Sequence, residues 1–321
     1  LNSAAVPGFR RVSEYYLHRT KVTTAFVKSP TTRAWVEQIE AVFHMGRGEW
    51  ETAHSKTTHS VAVHERYGHR RMVEEGILIQ AYNHFFTGDF SKSADLFSQM
   101  ETRAEARGDR QSLSWAKQGI VRALLRLGEV ERPRTIVESS RSLIRDQLSI
   151  IDSHGTSAYA WARAGSWTQA FAEAEAGLAV VSQSPQPTFT VAPALSFLAE
   201  TYIDAYEQGT ISLSRVLPKL RKHSWTMRQY AWIFPFARAQ AAFAQGFLLL
   251  FSGKPNDAFL RWSNGLRLAR EGRMPFEQGR LHLALALHGP QTERESHQSA
   301  AEQLLTSCKA EWLLRRATRS S

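Results

Sequence analysis

Gly48-Glu-Trp50-Glu-Thr-Ala53 and Gly165-Ser-Trp167-Thr-Gln-Ala170 obey one rule: glycine, a bulky residue two positions on, a small residue five positions on. The order returns as Gly88, Phe90, Ser93 and as Gly128, Val130, Pro133, and more weakly as Gly253, Pro255, Ala258 and Gly209, Ile211, Ser214. In chain order these glycines stand 40, 40, 37, 44 and 44 residues apart. Such spacing is that of helical-hairpin arrays, somewhat longer than the ~34 residues of an ideal tetratricopeptide unit.

Each position has a physical role in a helix, turn, helix unit. Glycine just past a helix adopts the left-handed conformation that closes it. The bulky residue starts the second helix and packs back on the first, which makes Trp50 and Trp167 core knobs. The small residue one turn later lets neighbouring helices approach. Between the turns the apolar residues recur at steps of three and four, as in Trp115, Gly119, Ile120, Ala123, Leu124 and Leu127, with Gln118, Arg122 and Arg126 on the opposite side. No run of strict alternation suggests a sheet. The expected fold is all-α, a tetratricopeptide-like solenoid of about six stacked antiparallel hairpins.

Breaks organise the array. Ser184-Pro-Gln-Pro187 is a turn that helix dihedrals do not absorb, and it divides an N-terminal repeat block, 1–183, from a C-terminal block, 184–321, of one continuous solenoid. A second break is expected from Ser224 to Pro235, and Gly289-Pro290 precedes one capping helix beginning near Thr292.

Composition supports a folded chain: 43% hydrophobic and 22% charged residues in 321 are ordinary globular usage. Single Cys308 excludes an internal disulfide framework and suits a reducing, cytoplasmic setting. No apolar run approaches the ~20 residues of a membrane span. The first residue is Leu1, which suggests a fragment of a longer polypeptide. The net charge of +10 is spread along the chain among 30 acids, so a nucleic-acid footprint is not expected, the basic tail Arg315, Arg316 and Arg319 coming closest.

Reactive constellations are missing. A phosphate loop needs glycine, four residues, then Gly-Lys-Ser or Gly-Lys-Thr; Gly253-Lys-Pro255 lacks the first glycine and the hydroxyl, and its proline deletes an amide donor. His54, His59, His64 and His69 recur every five residues, and five residues turn a helix by about 140° net, so their rings diverge and read as surface histidines. No Gly-x-Ser-x-Gly elbow occurs, and acid pairs such as Glu74 with Glu75 or Glu101 with Glu105 read as exposed helix faces. No catalytic residue, cofactor or metal site is expected.

Three stretches resemble a known family: Gly46-Arg-Gly-Glu-Trp50-Glu-Thr-Ala53; Ala106-Arg-Gly-Asp109-Arg-Gln111-Ser-Leu-Ser-Trp115-Ala116 followed by Leu125-Arg-Leu-Gly128; and Met274-Pro-Phe-Glu277-Gln-Gly279-Arg-Leu-His282-Leu-Ala. They are similar to the C-terminal tetratricopeptide-like region of large bacterial proteins that join a class III adenylate or guanylate cyclase domain to a signal-transducing AAA-type ATPase. Departures are Phe276 where that family carries tyrosine, and a missing glycine-arginine ending after His282. The cyclase's metal-binding aspartates, the phosphate loop and the Walker B acid have no counterpart here. The resemblance therefore implies that any enzyme lies upstream and that this region senses an effector or restrains its neighbours. Related helical regions occur in maltose-regulator-like transcription activators.

The expected function is a regulatory interaction module, since stacked hairpins build an extended concave groove. Its partner is a protein, a peptide or the upstream domains. A candidate anchor cluster is Trp225, Tyr230, Trp232 and Phe236, aromatics crowded around one proline.

Overall fold

The computed structural model describes residues 10–144, 147–183 and 188–317, and among these it holds helices and no strand. Ahead of the array lies α1 (Arg10–Thr24). Seven antiparallel pairs follow: α2 (Pro30–Arg47) with α3 (Trp50–Arg66), α4 (Arg70–Phe86) with α5 (Phe90–Arg107), α6 (Arg110–Arg126) with α7 (Glu131–Ser140), α8 (Gln147–Arg163) with α9 (Trp167–Val181), α10 (Ala192–Glu207) with α11 (Leu213–Ile233), α12 (Arg238–Phe251) with α13 (Pro255–Glu271), and α14 (Pro275–His288) with α15 (Arg294–Ser307). A six-residue helix, α16 (Trp312–Ala317), comes last. The tetratricopeptide-like all-α solenoid read from the repeat is what forms, with one hairpin more than expected.

The repeat turns behave as their chemistry requires. Gly48, Gly88, Gly128, Gly165, Gly209 and Gly253 all have φ between 71° and 89°. At the first of them the amide of Gly48 reaches Met45 O at 3.1 Å and that of Glu49 reaches His44 O at 3.0 Å, closing α2 with paired bonds to its free carbonyls. Gly68 and Gly108 are left-handed too, and they lie midway between the repeat glycines, so from Gly48 to Gly128 the true period is 20 residues, one helix and one turn. In the later hairpins Arg273 (φ 49°) and Lys309 (φ 55°) take this conformation without being glycine.

Trp50, Phe90 and Trp167 each begin their helix, and Ala53, Ser93, Ala170 and Ala258 are fully buried against neighbours. Trp50 is buried, whereas Trp167 is half-buried and leans on Phe171. The weak copy at Gly209 fails at Ser214, which is exposed because α11 begins later, at Leu213. Aspartate caps the helix starts of α5 and α6: Asp109 accepts from the amides of Gln111 (3.0 Å) and Ser112 (3.1 Å).

Three expectations are corrected. The stretch from Ser224 to Pro235 is not a break: α11 runs through Ser224 to Ile233, and only Phe234-Pro235 interrupts the chain. Methionine and tyrosine on its inner side, Met227 and Tyr230, are buried and hold the helix in place. After Gly289 the described residues form two α-helices, not one cap, because Lys309 turns the chain back inward to α16. The turn at 184–187, and with it the division between the two blocks, lies outside the described residues.

The groove is also not open. The turn edge of the first three hairpins docks on the far end of the array. Trp50 packs on Phe236 with ring centroids 5.7 Å apart, and its indole nitrogen donates to Gly272 O at 2.6 Å. Phe90 packs on Phe276 at 5.1 Å, and Gly128 lies so close to Trp312 that a Cβ there would fall 2.6 Å from the ring. One contiguous hydrophobic core consequently holds residues from Ala41 to Ala310. The superhelix closes on itself and encloses its inner layer, the even-numbered helices.

Candidate functional site

Closure changes the fate of the polar side of the inner helices. Gln118, Arg122 and Arg126 all lie at 5% exposure or less, where the helical pattern placed them outward. Each arginine brings its own compensation for leaving water. Arg122 pairs with Asp152 and lies over the Tyr82 ring, 4.9 Å from its centroid. Arg126 grips Glu200 with two bonds of 2.6 and 2.8 Å and stacks on Phe197 and Phe276. Arg280 of α14 binds the same carboxylate at 2.7 Å, and also Glu277 at 2.5 Å and Ser196 at 3.1 Å.

Glu200 thus sits at a four-helix junction, with Gln240 of α12 reaching Glu277 at 3.1 Å. Burial alone would raise its pKa, but Arg126 and then Arg280 outweigh it and pull the carboxyl down to about 2. Two arginines and two glutamates balance in charge. The network is a floor that ties α6, α10, α12 and α14 together across 74 and 80 residues of sequence.

Above that floor lies a cavity of about 340 Å³, the size of a small-ligand or side-chain pocket. Its apolar walls are Phe243 and Phe247 of α12 and Leu283, Ala284 and Leu287 of α14. The facing wall is α10, where Glu200, Asp204 and Glu207 recur on one acidic face, with Ile203 between them. His288 stands across from Glu207 at 3.9 Å, its pKa lowered by burial. Leu313 of α16 completes the lining. Such a chamber recognises an apolar group with a polar or cationic end; it presents no nucleophile and base in contact.

The aromatic cluster read from sequence does not form one patch. Tyr230 and Phe236 are core, at 3% and 5% exposure, and Tyr230 donates to Thr188 O at 2.9 Å. Trp225 and Trp232 stand 56% and 59% exposed, on the outer face of α11, away from the cavity. Residues a few positions apart on a helix point to different sides, so clustering along the chain did not mean clustering in space. The cavity residues escape the sequence for the opposite reason: they come from five helices, and each looks like an ordinary apolar or charged position on its own.

Other expectations resolve residue by residue. His54, His59 and His69 are exposed, but His64 is buried and stacks on His69 at 5.5 Å, a correction that follows from its place on the inner stripe of α3 with Ala53, Thr57 and Ser60. No group of three or more histidine, cysteine, aspartate or glutamate side chains suited to a metal occurs among the described residues. Glu74 is likewise buried, not on an open face, because Arg107 covers it with bonds of 3.1 and 2.5 Å. Cys308 ends α15 beneath Gly88, and burial raises its thiol to about 11. No helix among the described residues is long and apolar enough to cross a membrane.

No family model matches the chain, and no curated protein matches it in sequence. Among solved structures, the crystal structure of NprR in complex with its cognate peptide NprX is similar over 95% of this chain and 88% of that one, with a TM-score of 0.61 at 12% sequence identity. At that identity the likeness is one of fold.

Proposed function

We propose that this chain is a peptide-sensing regulatory module, a solenoid that binds a short peptide inside its closed superhelix and relays its presence to attached or partner domains. The observation that carries the reading is the partly open cavity of about 340 Å³, apolar on α12 and α14 and acidic on α10, in a fold shared with a protein solved in complex with a peptide. Binding alone suffices for the role, and the chain performs no chemistry. Under the resemblance drawn from its repeat motifs, the relay target is a cyclase and AAA-type ATPase in the same polypeptide, in the cytoplasm; a transcription activator's sensor domain is the alternative parent.

Panning random heptapeptides against the immobilised protein, followed by fluorescence titration, tests this. Recovered peptides should bind the native chain and lose at least tenfold in affinity to Leu283→Glu, which puts a charge on the apolar wall. Peptides that bind both proteins alike would place recognition elsewhere. Turnover of ATP or GTP to a cyclic nucleotide by the purified chain would refute the non-catalytic reading.

A further inference from the structure

The last helix, α16, is six residues long, too short to be stable by itself, and it is held by side chains that reach across the closed superhelix. Trp312 is buried; its indole donates to Arg126 O at 2.8 Å, 186 residues away, and Arg163 lies 3.6 Å over its ring. It packs in a small cluster with Val121, Leu125, Tyr159 and Phe197 of the inner helices. Leu313, next in sequence, forms part of the cavity wall. Arg315 and Arg316 follow in the chain, and the cavity's α10 wall carries Asp204 and Glu207 on the face of Glu200, whose own charge Arg126 and Arg280 balance.

We infer that segment 311–317 is a tethered occupant of the inner surface, and that the external ligand is a peptide of the same chemistry: an aromatic and an aliphatic side chain followed by arginine. The inference rests on the peptide-sensing reading and specifies its ligand and its regulation. Trp312 fills the aromatic seat between α6 and α8, Leu313 forms one wall of the cavity, and the arginine charge is complementary to Asp204 and Glu207 of α10. A free peptide of this kind competes with the tethered segment, and the segment's displacement frees the turn edge at Gly128, where the first and last parts of the array meet. Binding is thereby coupled to loosening of the closure.

The test uses a fluorescein-labelled peptide with the sequence of Glu311–Arg319, titrated by anisotropy against the whole chain and against Trp312→Ala/Leu313→Ala. The double variant, its seats vacated, should bind the peptide at least tenfold more tightly than the native protein. Arg163→Ala, which loosens the segment without removing a core side chain, should move affinity the same way by a few-fold, and covers the case in which the double variant loses its cooperative melt. A peptide with tryptophan replaced by alanine should fail to compete. Equal affinity for the native chain and Arg163→Ala overturns the inference. If panned peptides of unrelated composition still enter the cavity in that case, the peptide-sensing reading survives while the tethered occupant falls; if no peptide binds any form, both fall.

Discussion

The indole of Trp50 donates its hydrogen bond to the carbonyl of Gly272 at 2.6 Å, joining the second turn edge of the chain to the seam between α13 and α14, 222 residues later. A residue that begins as a repeat marker therefore also fastens the superhelix shut. Trp50→Phe keeps most of the ring and should cost about 1 kcal/mol for the lost bond, while Trp50→Ala should cost about 3–5 kcal/mol through the cavity it leaves. Urea unfolding followed by far-UV circular dichroism checks this; equal losses for the two variants would contradict the role given to the indole nitrogen.

Removing one partner of the buried network should be far more damaging than its neutral total charge suggests. Glu200→Gln leaves Arg126 and Arg280 facing each other across a neutral amide, with an expected loss of about 3–5 kcal/mol. A change below about 1 kcal/mol at pH 7 would mean that water reaches these guanidinium groups.

Two buried groups should shape the acid limb of stability in separate windows. His223 donates from Nε2 to Leu195 O (2.7 Å) and is held near pKa 4 by burial, below its usual 6.5. Between those values the unfolded chain takes up a proton that the folded one refuses, so stability falls as pH drops from about 6.5 to 4, by up to about 1.4 kcal/mol per pH unit. His223→Gln should reduce that slope, the rest coming from His282, which burial also lowers to about 4. Glu200, depressed from 4.5 to about 2, contributes roughly 3 kcal/mol that is present above pH 4.5 and vanishes as pH falls toward 2. Native and variant ΔG measured at half-unit pH steps would separate the two.

Left-handed positions should respond to substitution according to what occupies them. Lys309 is exposed and strained at φ 55°, and Lys309→Gly should stabilise by up to about 1 kcal/mol, less what the freer unfolded chain takes back. Gly68→Ala, at φ 71° with open space around the new Cβ, should destabilise by about 1 kcal/mol for backbone reasons alone. Thermal melts of the pair with opposite signs are the expected result.

How much of this could be read from the chain alone depends on whether the cause was local. Gly48, Trp50 and Ala53 announce a helical hairpin because a cap, a knob and a close approach are all satisfied within a dozen residues. Arg122 and Arg126 defeat the same logic. Helical periodicity sorts them to the wet side of α6, and only Asp152 and Glu200, on later helices, make their burial possible. The cavity depends on closure, and closure rests on contacts such as Phe90 with Phe276 that no period describes. Gly68 and Gly108, by contrast, were visible signals: they halve the repeat and were available at the same spacing as the others.

An open array of hairpins can gain or lose a unit with little consequence, since every repeat touches only its neighbours. The chain from Gly48 to Gly128, with its even spacing of 20 residues, looks suited to such duplication. The seam forbids it. One hairpin added or removed would carry Trp50 past Gly272 and Phe90 past Phe276, leaving both without their partners. Closure thus counts the repeats, and the number of hairpins becomes a property under direct physical selection.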